Sequence, residues 1–339
     1  MKSLCFFGLI VLAAATLRGQ TYWSTDPNVD CSGTNAAGFE VNGPIAFSTP
    51  TGGLGYVCQV TGTFMWYAAG AGWTTSIRVA APESAPILAD YKLVGIAGNP
   101  LSLDTTFGPG SAVSPGTEVS ASLNPNQPLE VDLLGHAGDG PNYSHLAGGS
   151  VYATFLCPDG TTCSLVYPQL VYSALPAASY SLSVALSWDG LEQYQWSVEG
   201  MDDGPGGAHQ LSFAIYNADT TAASYTIQVY DSNGNLAGTG TTNPISPLHN
   251  DTYGTGGVTA FQDLSSVITS PLPSGILKVV FSGSNLSDVI AIQFTNEPNG
   301  QQSATTLQLA QDATPGASSD VRRARAASTP KRVPGAPAK

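Results

Sequence analysis

The 339 residues include 11 Lys and Arg against 24 Asp and Glu, a formal charge of −13 at pH 7, and only 10% of the chain is charged. Apolar residues make up 42%, enough for a sizeable core and too many for a disordered chain. Residues 20–310 hold three cations against 22 acids, a balance of −19, which excludes nucleic acid as a partner of the body because phosphates are repelled.

The chain opens with a positive Met1-Lys2-Ser3 and an apolar run from Leu4 to Ala15 that ends in small residues. This predicts a signal peptide over residues 1–19, cut between Ala15 and Gln20, and hence a secreted, periplasmic or cell-surface protein. The run is too short to span a bilayer comfortably, and no later stretch is long and apolar enough, so stable membrane insertion is not expected. Cys5 stands at the front of the run, away from the cut, which argues against a lipid anchor.

Residues 20–62 read as a disulfide-pinned N-terminal β segment. Removal of the leader leaves Cys31, Cys58, Cys157 and Cys163, an even number in an exported chain. Three pairings are possible, and proximity favours Cys31 with Cys58 and Cys157 with Cys163. Between the latter two, Asp159-Gly160 suggests a hairpin turn with the cysteines facing each other across two strands. A zinc site would call for a Cys-x-x-Cys pair, and the sequence has none.

From residue 63 onward, most tracts alternate apolar and polar side chains, the period of a strand with one packed face and one wet face. Examples are Leu211, Phe213 and Ile215; Tyr225, Ile227 and Val229; and Leu277, Val279 and Phe281. No amphipathic helix is apparent; residues 260–268 could form a turn or two. The pattern also repeats. Ile77 and Val79 stand 136 positions before Phe213 and Ile215, as do Tyr91 and Leu93 before Ile227 and Val229, and Gly98-Asn99 before Gly234-Asn235. Residues 149–155 match 275–281, and Trp66 is paired with Trp196. The pattern predicts a duplicated β unit, one copy over 63–178 and one over 179–311. Residues 104–147 are expected to be extra decoration of the first copy.

Three segments of the chain resemble a known type. "A-G-A-G-W-T-T-S-I-R-V-A-A-P" (69–82) resembles the "G-G-G-W-T-T-x-L-x-L-x-N-P" opening of β-sandwich units in uncharacterised exported bacterial proteins, with Ala81 standing where the pattern has Asn. "L-S-F-A-I-Y-N-A-D-T-T-A-A-S-Y-T-I-Q-V-Y-D-S-N-G-N" (211–235) is similar to the same opening in the second copy, and "V-I-A-I-Q-F" (289–294) to the closing strand. The resemblance implies an all-β fold of two tandem immunoglobulin-like β-sandwich domains. It implies no catalytic residue.

Candidate sites are few. Asp231, Asn233 and Asn235 recur at every second position, as in the first half of a calcium loop, but position twelve is Thr242 rather than Glu. Gly234-Asn235 is therefore read as a turn that needs positive φ. His136, Asp139 and His145 share one Gly-rich loop and are the weak metal candidates, which a metal-dependent hydrolase would need. Asp202-Asp203 could act as paired carboxylates but reads as a turn. His209 and His249 look solvated. No Gly-x-Ser-x-Gly turn or phosphate-cradling loop is present.

Of five tryptophans (Trp23, Trp66, Trp73, Trp188 and Trp196), most are expected to pack in the cores. Trp188, Tyr194 and Trp196, in residues 187–196, are the best candidates for an exposed platform that stacks on sugar rings. Residues 312–339, with six cations and little apolar bulk, read as a disordered basic tail. The sequence thus predicts a non-catalytic extracellular structural or interaction protein without a cofactor, meeting an extracellular protein or glycan through loops or a sheet edge. The alternative is a carbohydrate-binding module.

Overall fold

Alternation at period two becomes strand almost wherever the sequence shows it. The computed structural model describes residues 21–35, 40–80, 85–108, 110–140, 142–174, 181–185, 193–204, 207–255, 262–268, 271–296, 302–307 and 309–311. The expected signal peptide (1–19), Trp188 and the expected basic tail (312–339) lie outside them.

The first half runs β1 (Asn42–Ser48), β2 (Leu54–Ala69), β3 (Trp73–Ala80), β4 (Ile87–Gly95), β5 (Leu103–Thr106), β6 (Ser114–Gly116), β7 (Glu118–Leu123), β8 (Pro128–His136) and β9 (Ala147–Cys157). A five-residue helix, α1 (Gly160–Ser164), then leads to β10 (Gln169–Ala174) and β11 (Ser181–Ala185). The second half runs β12 (Gln193–Asp202), β13 (His209–Asn217), β14 (Tyr225–Tyr230), β15 (Leu236–Thr241), β16 (Asn250–Gly254), β17 (Gln262–Asp263), a 3-10 turn (Leu264–Ser266), β18 (Gly275–Asn296), β19 (Gln302–Thr306) and β20 (Leu309–Gln311).

In the first half, one sheet has the order β1-β2-β9-β4-β7 and the other β11-β10-β3-β8-β5-β6. The second half is ordered β15-β14-β18-β13-β16-β17, with β12 and β19 also pairing with β18, and β20 pairing with β12. The protein is all-β and sandwich-like, and its pairings are antiparallel apart from β16–β17.

The two halves pair their strands in the same order. Ile77 lies between Val131 and Leu170, and Phe213 lies between Tyr253 and Ala291. Tyr91 lies between Val119 and Ala153, and Ile227 between Gly240 and Phe281, so residues 104–147, expected as decoration, instead supply β7 and β8 to the common ladders. The ladders therefore equate Ala153 with Phe281, a slip of two residues from the match of 149–155 with 275–281. An even slip leaves every side chain on its own face, so the hydrophobic pattern could not detect it. Trp66 and Trp196 are not equivalent. Trp196 stands opposite Phe281, whereas the residue opposite Ala153 is Gly62.

Where the first half breaks between β9 and β10 with α1, the second continues as one long strand. The early part of β18 pairs with β12 and β14, and its later part with β13 and β19. Its crossing point contains Gly283, where a Cβ would collide with the Tyr225 ring. The α1 segment corrects the hairpin expected at Asp159-Gly160. Asp159 is an N-cap whose carboxylate accepts from the Thr162 N–H at 2.6 Å. Capping satisfies a helix donor that a hairpin turn would have paired differently. The division at residue 62 also falls inside β2, which pairs with β9 from Cys58 to Ala69. The N-terminal segment is thus continuous with the first half's sheet.

The strands of the second half were expected to have one wet face. Instead β13 is buried on both faces from Gln210 to Asn217. Leu211, Phe213 and Ile215 fill the second half's own core, while Ala214, Tyr216, Ile290, Ile292 and Phe294 belong to the core of the first half. Trp73 meets Phe294 edge-on at 6.2 Å. Asn250 donates to the carbonyls of Met65 and Gly149, and the Tyr152 hydroxyl donates to the Leu248 carbonyl at 3.2 Å. The His249 ring lies so close to Gly98 that a Cβ there would overlap it. The two halves thus share a buried seam.

Candidate functional site

Cys31, Cys58, Cys157 and Cys163 meet at one end of the first sheet. Cys31 is bonded to Cys58 and Cys157 to Cys163. Cys58 and Cys157 are themselves ladder partners, so both bridges converge on adjacent strands. The Gly160 N–H donates to the Asp30 carbonyl at 2.8 Å, joining α1 to the N-terminal segment. These sulfurs are in disulfides and buried, which leaves none of the four as a free thiol ligand or nucleophile.

The Gly-rich loop after β8 is held by Tyr143. Its ring covers Gly135, its hydroxyl donates to Asp104 at 3.2 Å, and its carbonyl accepts from the Ala71 N–H at 2.5 Å. Asp139 pairs with Nδ1 of His145 at 3.0 Å, with the His145 side chain 75% exposed. His136 sits at the end of β8, paired with Leu103. Among the described residues, no three His, Cys, Asp or Glu side chains gather to hold a metal. His136 therefore does not join Asp139 and His145 in a ligand set.

Asp202 and Asp203 are each closed by partners of their own. Asp203 pairs with Nδ1 of His209 at 2.7 Å and accepts the His209 backbone N–H at 3.1 Å, which holds its carboxyl below the usual range. Asp202 is buried, and desolvation pushes its carboxyl up despite bonds from the Gly204 N–H and the Thr255 hydroxyl. The environments do part the two pKa values, as acid–base pairs require. Yet both carboxyls serve the turn between β12 and β13.

Asp231 closes the turn between β14 and β15 on itself. One oxygen accepts the N–H groups of Asn233 (2.8 Å) and Asn235 (2.9 Å), and the other accepts the Asn235 side chain (3.0 Å). These bonds hold its carboxyl below the usual range. Gly234 takes φ +81, as the turn reading requires.

The expected aromatic platform loses Trp196. Trp196 is 1% exposed, and its indole N–H donates to the Ser287 carbonyl at 2.9 Å. A ring packed in the core offers no face to a sugar. Tyr194 is 42% exposed, and Trp188 lies outside the described residues.

A different aromatic group lies beside β1. Tyr22 contacts Trp23 edge-on at 4.9 Å and stacks with Phe47 at 6.2 Å; Trp23 meets Phe47 edge-on at 5.9 Å. Together with Val57, Leu88 and Leu156 they cover the outer face of the first sheet. Burial pushes the Tyr22 phenol up to about 12. Trp23 and Phe47 are half-buried, and nearby Ile45 and Leu54 are exposed. Sequence reasoning missed this site. The available signal was the absence of any charged side chain from residue 41 to 77.

The three body cations all face acids across a ladder. Arg78 bonds Glu130 at 2.7 and 3.0 Å, Lys92 stands opposite Glu118, and Lys278 stands opposite Glu199. Cross-strand charge pairing of this kind places each cation locally. The remaining acids give the body its negative field. No protein-family model matches this chain, and no curated protein is similar to it.

Proposed function

We propose that this is a non-catalytic extracellular structural or interaction protein, built from two tandem immunoglobulin-like sandwiches that arose by duplication and were joined rigidly. The common pairing order of the two halves supports the duplication. The two disulfides fit an exported chain. Among the described residues, no helix is long and apolar enough to cross a membrane.

The observation that carries the interaction role is the edge strand β1, with exposed Ile45 and half-buried Phe47 beside Trp23. Exposed edges that lack charge are templates for added strands. A carbohydrate-binding role is the second possibility, favoured by the half-exposed Trp23 and by Tyr194.

The test has two parts. The chain is expressed with its leader, and the exported product is sequenced from its N-terminus. The mature protein is then exposed to cell-surface protein fractions and a glycan array, with and without EDTA. Export, oxidised cysteines and saturable binding indifferent to EDTA are expected. Retention in the cytoplasm with reduced thiols, or an EDTA-sensitive hydrolysis, would overturn the proposal.

A further inference from the structure

The free side of β1 has a geometry that suits one occupant in particular. Tyr56 exchanges backbone hydrogen bonds with Ser24 at 2.8 and 2.9 Å. Ala46 is the ladder partner of Tyr56. Since the Tyr56 groups point toward Ser24, Ala46 and Tyr56 form a non-hydrogen-bonded pair. The N–H and C=O of Ala46 therefore point outward. Ser48 follows at the same period. Among the described residues, no strand pairs with this side of β1.

Most edge strands are blunted by charge, but this one carries none. Pro44, which lacks an N–H, and the register shift between Asn42 and Ile45 limit a ladder to the residues after them. Ile45 and Phe47 share the outer face and project beside the aromatic group of Tyr22 and Trp23.

We propose that β1 pairs antiparallel with β1 of a second copy of this chain, across a two-fold axis at Ala46, to form one continuous sheet. The inference rests on the interaction role proposed above and names its site and partner.

Three features point to a second copy rather than an unrelated strand. The register is self-complementary: with Ala46 opposite Ala46, each Ile45 falls opposite Phe47 of the other copy. Aromatic with β-branched is a favoured cross-strand pair. The two Ala46 residues exchange two hydrogen bonds. Lastly, each body carries a balance of −19, and the uncharged stretch 41–77 is where two such bodies approach with least repulsion. Two-fold pairing also places the acidic bodies on opposite sides of the joint.

Sedimentation of the full mature chain tests this, with Ala46→Pro and Ile45→Lys as variants. The Ala46 N–H points away from β2, so proline removes the intermolecular donor without breaking the β1–β2 ladder. The Ile45 side chain is exposed, so lysine adds charge at the seam while the fold stands. Circular dichroism and a thermal melt matching the parent show that each variant is folded. A concentration-dependent dimer is expected, tighter at 150 mM salt than at 10 mM because screening relieves the repulsion. Each variant raises the dissociation constant by about tenfold or more: Ala46→Pro through the two lost hydrogen bonds, Ile45→Lys through the cost of desolvating an ammonium opposite Phe47 of the other copy. A chain that stays monomeric up to about 100 μM, or a dimer that persists unchanged in both folded variants, overturns the inference. A monomer that still binds extracellular material removes only the edge pairing. Cytoplasmic retention removes the interaction role and leaves dimerisation to stand on its own.

Discussion

Asn217 offers a sharp test of how the second half is held. It is fully buried at the end of β13. Its amide donates to the carbonyls of Thr221 (2.8 Å) and Ile245 (2.9 Å), with a longer bond to Ser246. Its oxygen accepts the Tyr225 hydroxyl at 3.0 Å and the Asp219 N–H at 3.2 Å. The side chain thus ties the β13 terminus to the loop before β16 and to β14. Asn217→Ala deletes this set. Thr221 keeps a bond from Asn285, Ile245 one from the Ala223 N–H, and Tyr225 one to Leu286, so few groups are orphaned. The loss is then the three shortest bonds at about 1 kcal/mol each, or about 3 kcal/mol in all.

Asn217→Asp has nearly the same shape and a different outcome. Its second oxygen would face the Thr221 and Ile245 carbonyls, and as an anion it would be buried without a cation. A loss of about 4 kcal/mol or more is expected at pH 7. Burial raises the pKa of this new carboxyl, so the folded state holds its proton longer than the unfolded chain. Its penalty is therefore small below the unfolded carboxylate pKa and grows as pH rises toward the folded one. Urea unfolding of parent and variants at pH 4 and pH 7 measures both effects. A pH-independent difference between Asn217→Asp and the parent, or equality with the parent at pH 7, would refute the reasoning.

Three further outcomes follow from the packing. Gly283→Ala should cost about 1–3 kcal/mol in thermal or urea unfolding, because the methyl meets the Tyr225 ring at the crossing of β18. The double variant Cys31→Ser with Cys58→Ser should lose about 3–4 kcal/mol in urea unfolding, since the bridge closes a loop with a sequence separation of 27. For Asp202, the folded pKa is raised, so its contribution falls as pH rises past the unfolded carboxylate pKa. Asp202→Asn keeps an acceptor for Gly204 and cannot ionise. Relative to the parent it should gain stability between pH 3 and pH 7, and a loss over that range in urea midpoints would contradict the assignment.

Much of the fold was legible from local pattern. Leu211, Phe213 and Ile215 announced a strand with a packed face, and Tyr225, Ile227 and Val229 another, because side-chain direction alternates in any extended chain. The turn at Gly234 was readable from the φ it needs, and the cysteine pairs from their spacing. Of the candidate sites, the residues were visible but their convergence was not. His136 differs from Asp139 and His145 only in its place on β8, which no spacing encodes. Trp196 and Tyr194 are two positions apart, yet one is core and the other exposed.

What the sequence determined alone is therefore what depends on neighbours along the chain: strand period, turn chemistry, acidity and the absence of charge over 41–77. Only the tertiary structure decided that the second face of β13 is covered, since Gln210 and Ser212 look like wet residues until Trp73 and the first half are packed against that sheet. It likewise decided that the Ala46 N–H and C=O point away from β2, because that depends on Ser24 capturing Tyr56 from across the sheet. Burial and hydrogen-bond direction are set by residues distant in sequence, and no local pattern carries that information.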